Sequence, residues 1–235
     1  MIYRILGDVE MENKIKQLII SYGADVCGIA NIERFSDSPK GFSPTDIFNE
    51  CKSIITFGIA LPKGLTKIEP RLVYGHFNYY VCHEVDKIAL MGSKLIEREF
   101  SGIAVPVPCD SPYEYWEEEI MCGKGLISMK HAAVLSGIGT LGKNTLLLNP
   151  QYGNLLTVGV ILTNLNLKSD ELCENICIEK CTKCIDNCPA SAISDNHVNQ
   201  KLCRLNTYGK TNRGFDTVDC NKCRMICPMR YGKRA

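Results

Sequence analysis

Two stretches of the chain repeat one sulfur-rich pattern. Cys181-Thr-Lys-Cys184-Ile-Asp-Asn-Cys188-Pro189 and Cys220-Asn-Lys-Cys223-Arg-Met-Ile-Cys227-Pro228 both read C-x2-C-x3-C-P, with every matched position offset by 39 residues. Two copies of one metal-binding unit is the direct reading. Cysteines two apart in a tight loop can ligate neighbouring irons of one cuboid cluster, while the cysteine before proline ligates the other cluster where two are held together. Each 4Fe-4S cluster takes four thiolates, so the six repeated cysteines leave two to be found, and Cys177 and Cys203 are the natural candidates. The expected sets are Cys177, Cys181, Cys184 and Cys227 for one cluster, and Cys188, Cys203, Cys220 and Cys223 for the other. The spacing departs from the bacterial C-x2-C-x2-C run at one place, because three residues separate Cys177 from Cys181 and Ile178 takes the expected position. Cys173 is therefore the alternative first ligand.

Zinc is the competing chemistry, since Cys181/Cys184 and Cys220/Cys223 are two C-x2-C pairs. It leaves Cys188, Cys203 and Cys227 unexplained, and with them the proline after the third cysteine of each copy. Disulfides suit a reducing compartment poorly. The chain holds 14 cysteines in 235 residues, and nine of them lie between Cys173 and Cys227. Charge changes at the same point: residues 1–172 carry 16 Lys/Arg against 20 Asp/Glu, and residues 173–235 carry 11 against 6. A basic tail compensates anionic thiolate clusters better than it argues for nucleic acid.

Other motifs are weaker. Gly137-Ile-Gly139-Thr-Leu-Gly142 has the G-x-G-x-x-G form, but the segment before it reads as a helix where a dinucleotide fold needs a strand. As a P-loop it fails at Asn144, where Ser or Thr should hold magnesium. What remains is a glycine-rich turn, Gly137, Gly139 and Gly142 followed by Lys143 and Asn144, whose backbone amides could cradle an anionic or large polar cofactor group. Asp110 follows a predicted strand and has the position of a general acid. Against that stands Ser111-Pro112-Tyr113-Glu114, a capping box with Pro at the first helical position, which predicts a helix start. His76, His83 and His131 read as packing or surface residues.

The elements that must position these groups alternate. Helical spacing runs from Met11 to Tyr22, from Tyr79 to Phe100 and from Leu126 to Leu135, and strands are predicted over 25–30, 54–61, 103–107 and 155–162. This order predicts an α/β or α+β core over about residues 11–165, followed by the cysteine module. Hydrophobic residues at 45% and charged residues at 23% are those of a globular chain, and the net charge is only +1. The longest strongly apolar run, Leu155 to Thr163, is less than half of the ~20 residues a membrane span needs. No secretory signal is readable at the N-terminus, which places the protein in the cytoplasm.

The segments KHAAVLSGIGTLGKNTLLLNPQYGNLLTVGVILTN, CTKCIDNCPASAI and CNKCRMICP together resemble the epoxyqueuosine reductase family and the related reductive dehalogenases. GADVCGIANIERF and KSIITFGIALP match its N-terminal part more weakly. The resemblance implies a nitroreductase-like α/β core that holds a cobalamin, here residues 1–168, with a ferredoxin-like double 4Fe-4S module over 169–235. It implies an oxidoreductase that feeds electrons singly from the clusters to the corrinoid, with Asp110 in the matching CDSP segment as proton donor. A flavin stays open, because nitroreductase-like folds can hold one. The implied partners are a small-molecule substrate and an electron donor of ferredoxin or flavodoxin type. Only seven residues follow Pro228, so the helical repeats that grip tRNA are not expected, and with a net charge of +1 nucleic acid is not expected as a partner. The alternative is a ferredoxin-like electron-transfer protein that reduces a partner protein without corrinoid chemistry of its own.

Overall fold

The computed structural model describes residues 2–194 and 196–233, with side chains from Met11 onward. Helix α1 (Ile2–Ser21) places Ile15 and Ile19, one turn apart, in the core, and Gly23 follows it at φ +108°. Strand β1 (Val26–Asn31) leads through a loop with the short helix α2 (Pro44–Ile47) to β2 (Ser53–Ala60). Helix α2 carries the capping box of Ser43 and Asp46. Helix α3 (Leu72–Phe100) begins seven residues before the predicted start and returns to β3 (Ala104–Val107). The hairpin of β4 (Tyr115–Glu117) and β5 (Cys122–Lys124) follows, then α4 (Met129–Leu135), the small hairpin of β6 (Thr140–Leu141) and β7 (Leu147–Leu148), and β8 (Leu156–Thr163).

The main sheet has the order β1-β2-β8-β3, and every pairing in it is antiparallel. The register of β2 on β8 runs from Ser53↔Thr163 to Ala60↔Leu156. Because side chains alternate across a strand, Ile55, Phe57 and Ile161 meet α1 and α3 through Ile15, Ile19, Val85, Ile88 and Ile96. Ile54, Val160 and Leu162 face the opposite way, toward Ala132 of α4. The result is a layered α/β arrangement whose strands are antiparallel, a direction that hydrophobic pattern alone does not encode.

The chain then straps the free edge of β1. Ile29 N–H donates to Asp170 Oδ2 at 2.9 Å, Asp170 N–H returns to the Ile29 carbonyl at 2.9 Å, and Lys16 pairs with Asp170 at 2.6 Å. The expected boundary at 168/169 falls inside this strap. Beyond it lie α5 (Lys183–Asp186), the hairpin of β9 (Ile193–Ser194) and β10 (His197–Val198), α6 (Gln200–Thr207), the hairpin of β11 (Tyr208–Lys210) and β12 (Asp216–Val218), and α7 (Lys222–Ile226). The two cysteine repeats thus contribute the short helices α5 and α7, which pack on each other. Among the described residues no helix is long and apolar enough to cross a membrane.

Gly28 lets β1 come against the end of α4: a Cβ there would stand 2.2 Å from the Ser136 carbonyl oxygen, while Thr56 and Ser136 share a hydroxyl hydrogen bond at 2.9 Å. Gly64, by contrast, has nothing within 4 Å of such a Cβ. Gly28→Ala is expected to lower the unfolding free energy by about 1–3 kcal/mol, and Gly64→Ala by less than about 0.5 kcal/mol, as read by denaturant titration.

Candidate functional site

The structure gathers the cysteines into two quartets. Cys177, Cys181, Cys184 and Cys227 line a small recess together with Gly142, Lys143 and Asn144. Cys223 lies within electrostatic reach of Cys203, Cys220 and Cys188. Each quartet therefore takes the pre-proline cysteine from the other repeat: Cys227 joins the first repeat's set and Cys188 the second's. Cys173 stands apart from the recess and donates its S–H to the Gly137 carbonyl at 2.9 Å. Among the described residues no three His, Cys, Asp or Glu side chains close around a single metal ion.

Burial sets the protonation of these thiols. It pushes Cys223 up to about 11, with the three neighbouring sulfurs adding and Arg224 opposing. It raises Cys184 and Cys227 as well, again with neighbouring sulfurs adding. A metal centre ionises its thiols outright. Asn221, between Cys220 and Cys223 in the sequence, is buried with its side-chain nitrogen unpartnered.

The glycine turn is brought to the same place. Gly137, at φ +72°, passes so close to the strap that a Cβ would stand 2.1 Å from the Glu171 carbonyl oxygen, and one on Gly139 would stand 2.4 Å from that of Leu148. Lys143 donates to the Glu179 carbonyl, and Asn144 to the Cys223 carbonyl at 3.2 Å. Asn154 donates to the Arg224 carbonyl at 3.0 Å, and Arg224 donates back to the Asn154 carbonyl. The turn and its neighbours brace the cysteine module, and Gly142, Lys143 and Asn144 line the recess of the first quartet.

Asp110 stands at the mouth of this region, exposed, in the loop after β3. The helix expected from Ser111 does not form. Its residues enter the β4–β5 hairpin, whose rings pack around Arg204: Tyr113 and Trp116 stack at 5.9 Å, and the guanidinium lies 5.1 Å from Trp116 and 5.6 Å from Tyr113. Tertiary contact overrides the local cap, as aromatic residues favour a pleated surface. Asp110 is close enough to act electrostatically on Lys130, Arg204 and Tyr208, and on the hydrogen-bonded thiols of Cys82 and Cys109. Lys130 is exposed as a residue, yet its ammonium end is crowded: desolvation first, and then Arg224, lower its pKa, against Cys223, Asp110 and Cys203. Lys130 and Arg204 were not legible as site residues, since each is an ordinary basic position on a short helix. His76 stacks on Tyr80, His83 meets Tyr79 edge-on, and His131 bonds Ser128 at 2.7 Å.

Two thiol quartets at the edge of an antiparallel α/β sheet, with a carboxylic acid beside the second, define a candidate redox protein. No family model matches the chain. Sequence comparison finds curated proteins named epoxyqueuosine reductase: one from Listeria monocytogenes is 27% identical over 209 residues, 80% of this chain and 51% of its own length. One from Lactococcus garvieae is 32% identical over 78% of this chain and 53% of its own, and one from Atelocyanobacterium thalassa 33% over 82% and 63%. Among solved structures, an epoxyqueuosine reductase with an epoxyqueuosine-modified tRNA stem loop superposes with TM-score 0.67 at 17% identity, covering 97% of this chain and 67% of that one. A catabolic reductive dehalogenase gives TM-score 0.70 at 18% identity, covering 92% and 31%. The chain is a homologue of the epoxyqueuosine reductases and shares its fold with the reductive dehalogenases. It spans about half the length of the first curated relatives it matches.

One of these solved relatives carries a tRNA stem loop, whereas the net charge of this chain argues against nucleic acid as a partner. A net charge of +1 averages over the whole chain, whereas phosphate contacts depend on a local surface, and residues 173–235 carry 11 Lys/Arg against 6 Asp/Glu.

The thiols also give a pH dependence with a definite sign. Cys223 rises from 9.0 to about 11 on folding, so its contribution to the iron-free chain is fully present below pH 9.0 and lost as pH climbs through about 11. Cys223→Ala is expected to shrink the stability difference of the iron-free protein between roughly pH 8 and 11 by about 1–2 kcal/mol, measured by denaturant titration at both pH values.

Proposed function

We propose that the chain is a cobalamin-dependent iron-sulfur reductase. On this reading Cys177, Cys181, Cys184 and Cys227 hold one 4Fe-4S cluster, and Cys188, Cys203, Cys220 and Cys223 hold the other. The observation that carries it is the exchange of Cys188 and Cys227 between the repeats, which is the ligand pattern of a double cluster and has no purpose in two separate zinc sites. The residues fit: sulfurs surround a recess in the first quartet, and an unpartnered buried amide waits at the second. The corrinoid would lie between Asp110 and the second quartet, bordered by Lys130 and Arg204. When bound, the corrinoid supplies the difficult reductive chemistry, to which the clusters bring low-potential electrons singly.

The protein's own contribution is position and a proton. Asp110 presents its carboxyl oxygen to the substrate as general acid. It stands exposed in the loop after β3, where a substrate bound beside it could be reached. Lys130 and Arg204 hold positive charge beside it. Electrons enter at the first quartet, whose recess opens past Ile178, Pro228 and Met229 toward a ferredoxin- or flavodoxin-type donor. A solved relative from Bacillus subtilis is described with its catalytic loop swung out of the active site, which supports a movable Asp110 loop here.

Anaerobic reconstitution is expected to give about eight iron and eight sulfide per chain and a brown absorption, with Cys203→Ala retaining about four. Added cobalamin should then show a shifted corrin absorbance. Asp110→Asn should keep iron content while turnover falls roughly 10²–10⁴-fold. Full clusters with no corrin shift would instead favour the electron-transfer protein that reduces a partner.

The relatives also favour a modified nucleoside carried in RNA as substrate, in place of a free small molecule. A tRNA stem loop should bind the reconstituted chain at roughly 50 mM salt and be lost at about 200 mM, as counterion release requires. Absence of binding at low salt would return the reading to a small molecule.

A further inference from the structure

Three residues of α6 clamp the hairpin that follows Asp110. Gln200 accepts from Gly123 N–H at 3.2 Å and donates back to the Gly123 carbonyl at 3.5 Å. Lys201 donates to the Glu119 carbonyl at 2.7 Å. Arg204 donates to the Tyr113 hydroxyl at 3.2 Å and to Gln200 at 3.4 Å, and its guanidinium lies among three rings, with Tyr208 at 5.9 Å. The hairpin itself has two three-residue strands and exposes Tyr115, Trp116 and Ile120 at 45%, 47% and 50%. A two-stranded ribbon of that length is marginal by itself, so the clamp is its main support.

Helix α6 is also short, eight residues capped by Asn199, and an isolated helix of that length is marginal too. It carries Cys203, the neighbour of Arg204. A cluster bound at Cys203 would fix α6, and whatever fixes α6 fixes the ribbon that begins at Tyr115, five residues after Asp110.

We infer that Arg204 is a positioning residue that couples the second cysteine quartet to the Asp110 loop, so that filling the quartet sets where Asp110 stands. This rests on the cluster reading above. The plane and fork of the guanidinium are both in use, over the rings and toward Tyr113, and lysine reproduces neither.

The test compares the iron-free and the anaerobically reconstituted full chain, in the parent and in Arg204→Gln, Arg204→Lys and Tyr113→Phe. Hydrogen exchange is followed at residues 111–124, with the emission maximum of Trp116, the single tryptophan. Reconstitution should slow exchange there roughly tenfold or more in the parent and shift the emission to the blue. In both Arg204 variants the iron content and the cluster electron paramagnetic resonance spectrum should match the parent, while the slowing falls below about threefold; Tyr113→Phe should lie between. Equal slowing in parent and Arg204→Gln overturns the inference, as does a variant that exchanges faster by the same factor with and without clusters, which is the mark of a merely structural side chain. Should Arg204→Gln fail to take up iron, Tyr113→Phe decides, and parent-like slowing in it overturns the inference. An iron-poor parent overturns the cluster reading together with this one, whereas an iron-replete parent with an unslowed hairpin overturns this one alone.

Discussion

The exchange of one cysteine between the two repeats is the constraint on which the rest depends. Cys227 sits with the first repeat's sulfurs and Cys188 with the second's, so neither quartet exists until both repeats are folded against each other. Helices α5 and α7 have four and five residues, too short to persist alone. Their stability has to come from what they share. Burial keeps the thiols neutral in the absence of metal, and it also brings sulfur near sulfur, so every neighbour opposes ionisation of the next. A metal centre reverses that balance, which makes cluster binding and folding of the module one event under the proposed reading.

The α/β layer supplies the module with a rigid support, chiefly through asparagines. Asn144, Asn149 and Asn154 are all buried and all tie loop backbone. Asn149 holds the glycine turn through the Ile138 carbonyl at 2.6 Å, while Asn144 and Asn154 reach across to the carbonyls of Cys223 and Arg224. Buried amides are costly unless satisfied, and the side-chain nitrogens of Asn144 and Asn154 are spent on the carbonyls of Cys223 and Arg224. The strap through Asp170 performs the same service on the other side of the glycine turn, since Gly137 lies against Glu171. Position is thus transmitted from the sheet to the second quartet through backbone, with little reliance on long side chains.

Much of this was legible in the residues. The repeat spacing groups the cysteines as the structure places them, Cys227 beside Cys177, Cys181 and Cys184 and Cys223 near Cys188, Cys203 and Cys220, and the strands over 25–30, 54–61, 103–107 and 155–162 follow from their hydrophobic runs. Two things were not. Antiparallel strand direction has no local signature when helices connect the strands. The hairpin after Asp110 was masked by Ser111-Pro112-Tyr113-Glu114, a true local signal for a helix that loses to the packing of Tyr113 and Trp116 on Arg204, a residue about ninety positions away. The glycine turn lies between these cases. Its glycines and Asn144 are as important as their pattern suggests, but what approaches them is the chain's own backbone.

The two quartets are not equivalent, and the inequality gives the site a direction. The first lies in a recess open past Ile178, which is 48% exposed, and the Lys143 beside it is engaged by the Glu179 carbonyl. At the second, burial pushes the Cys223 thiol up, Asn221 next to Cys220 is buried, and Lys130 and Arg224 supply positive charge. Burial alone would disfavour a more reduced, more anionic cluster; nearby cations and an amide donor favour it. Under the proposed reading the second set would receive an electron from the first and hold it near Asp110, and the contact of α6 with the β4–β5 hairpin would set how electron and proton meet.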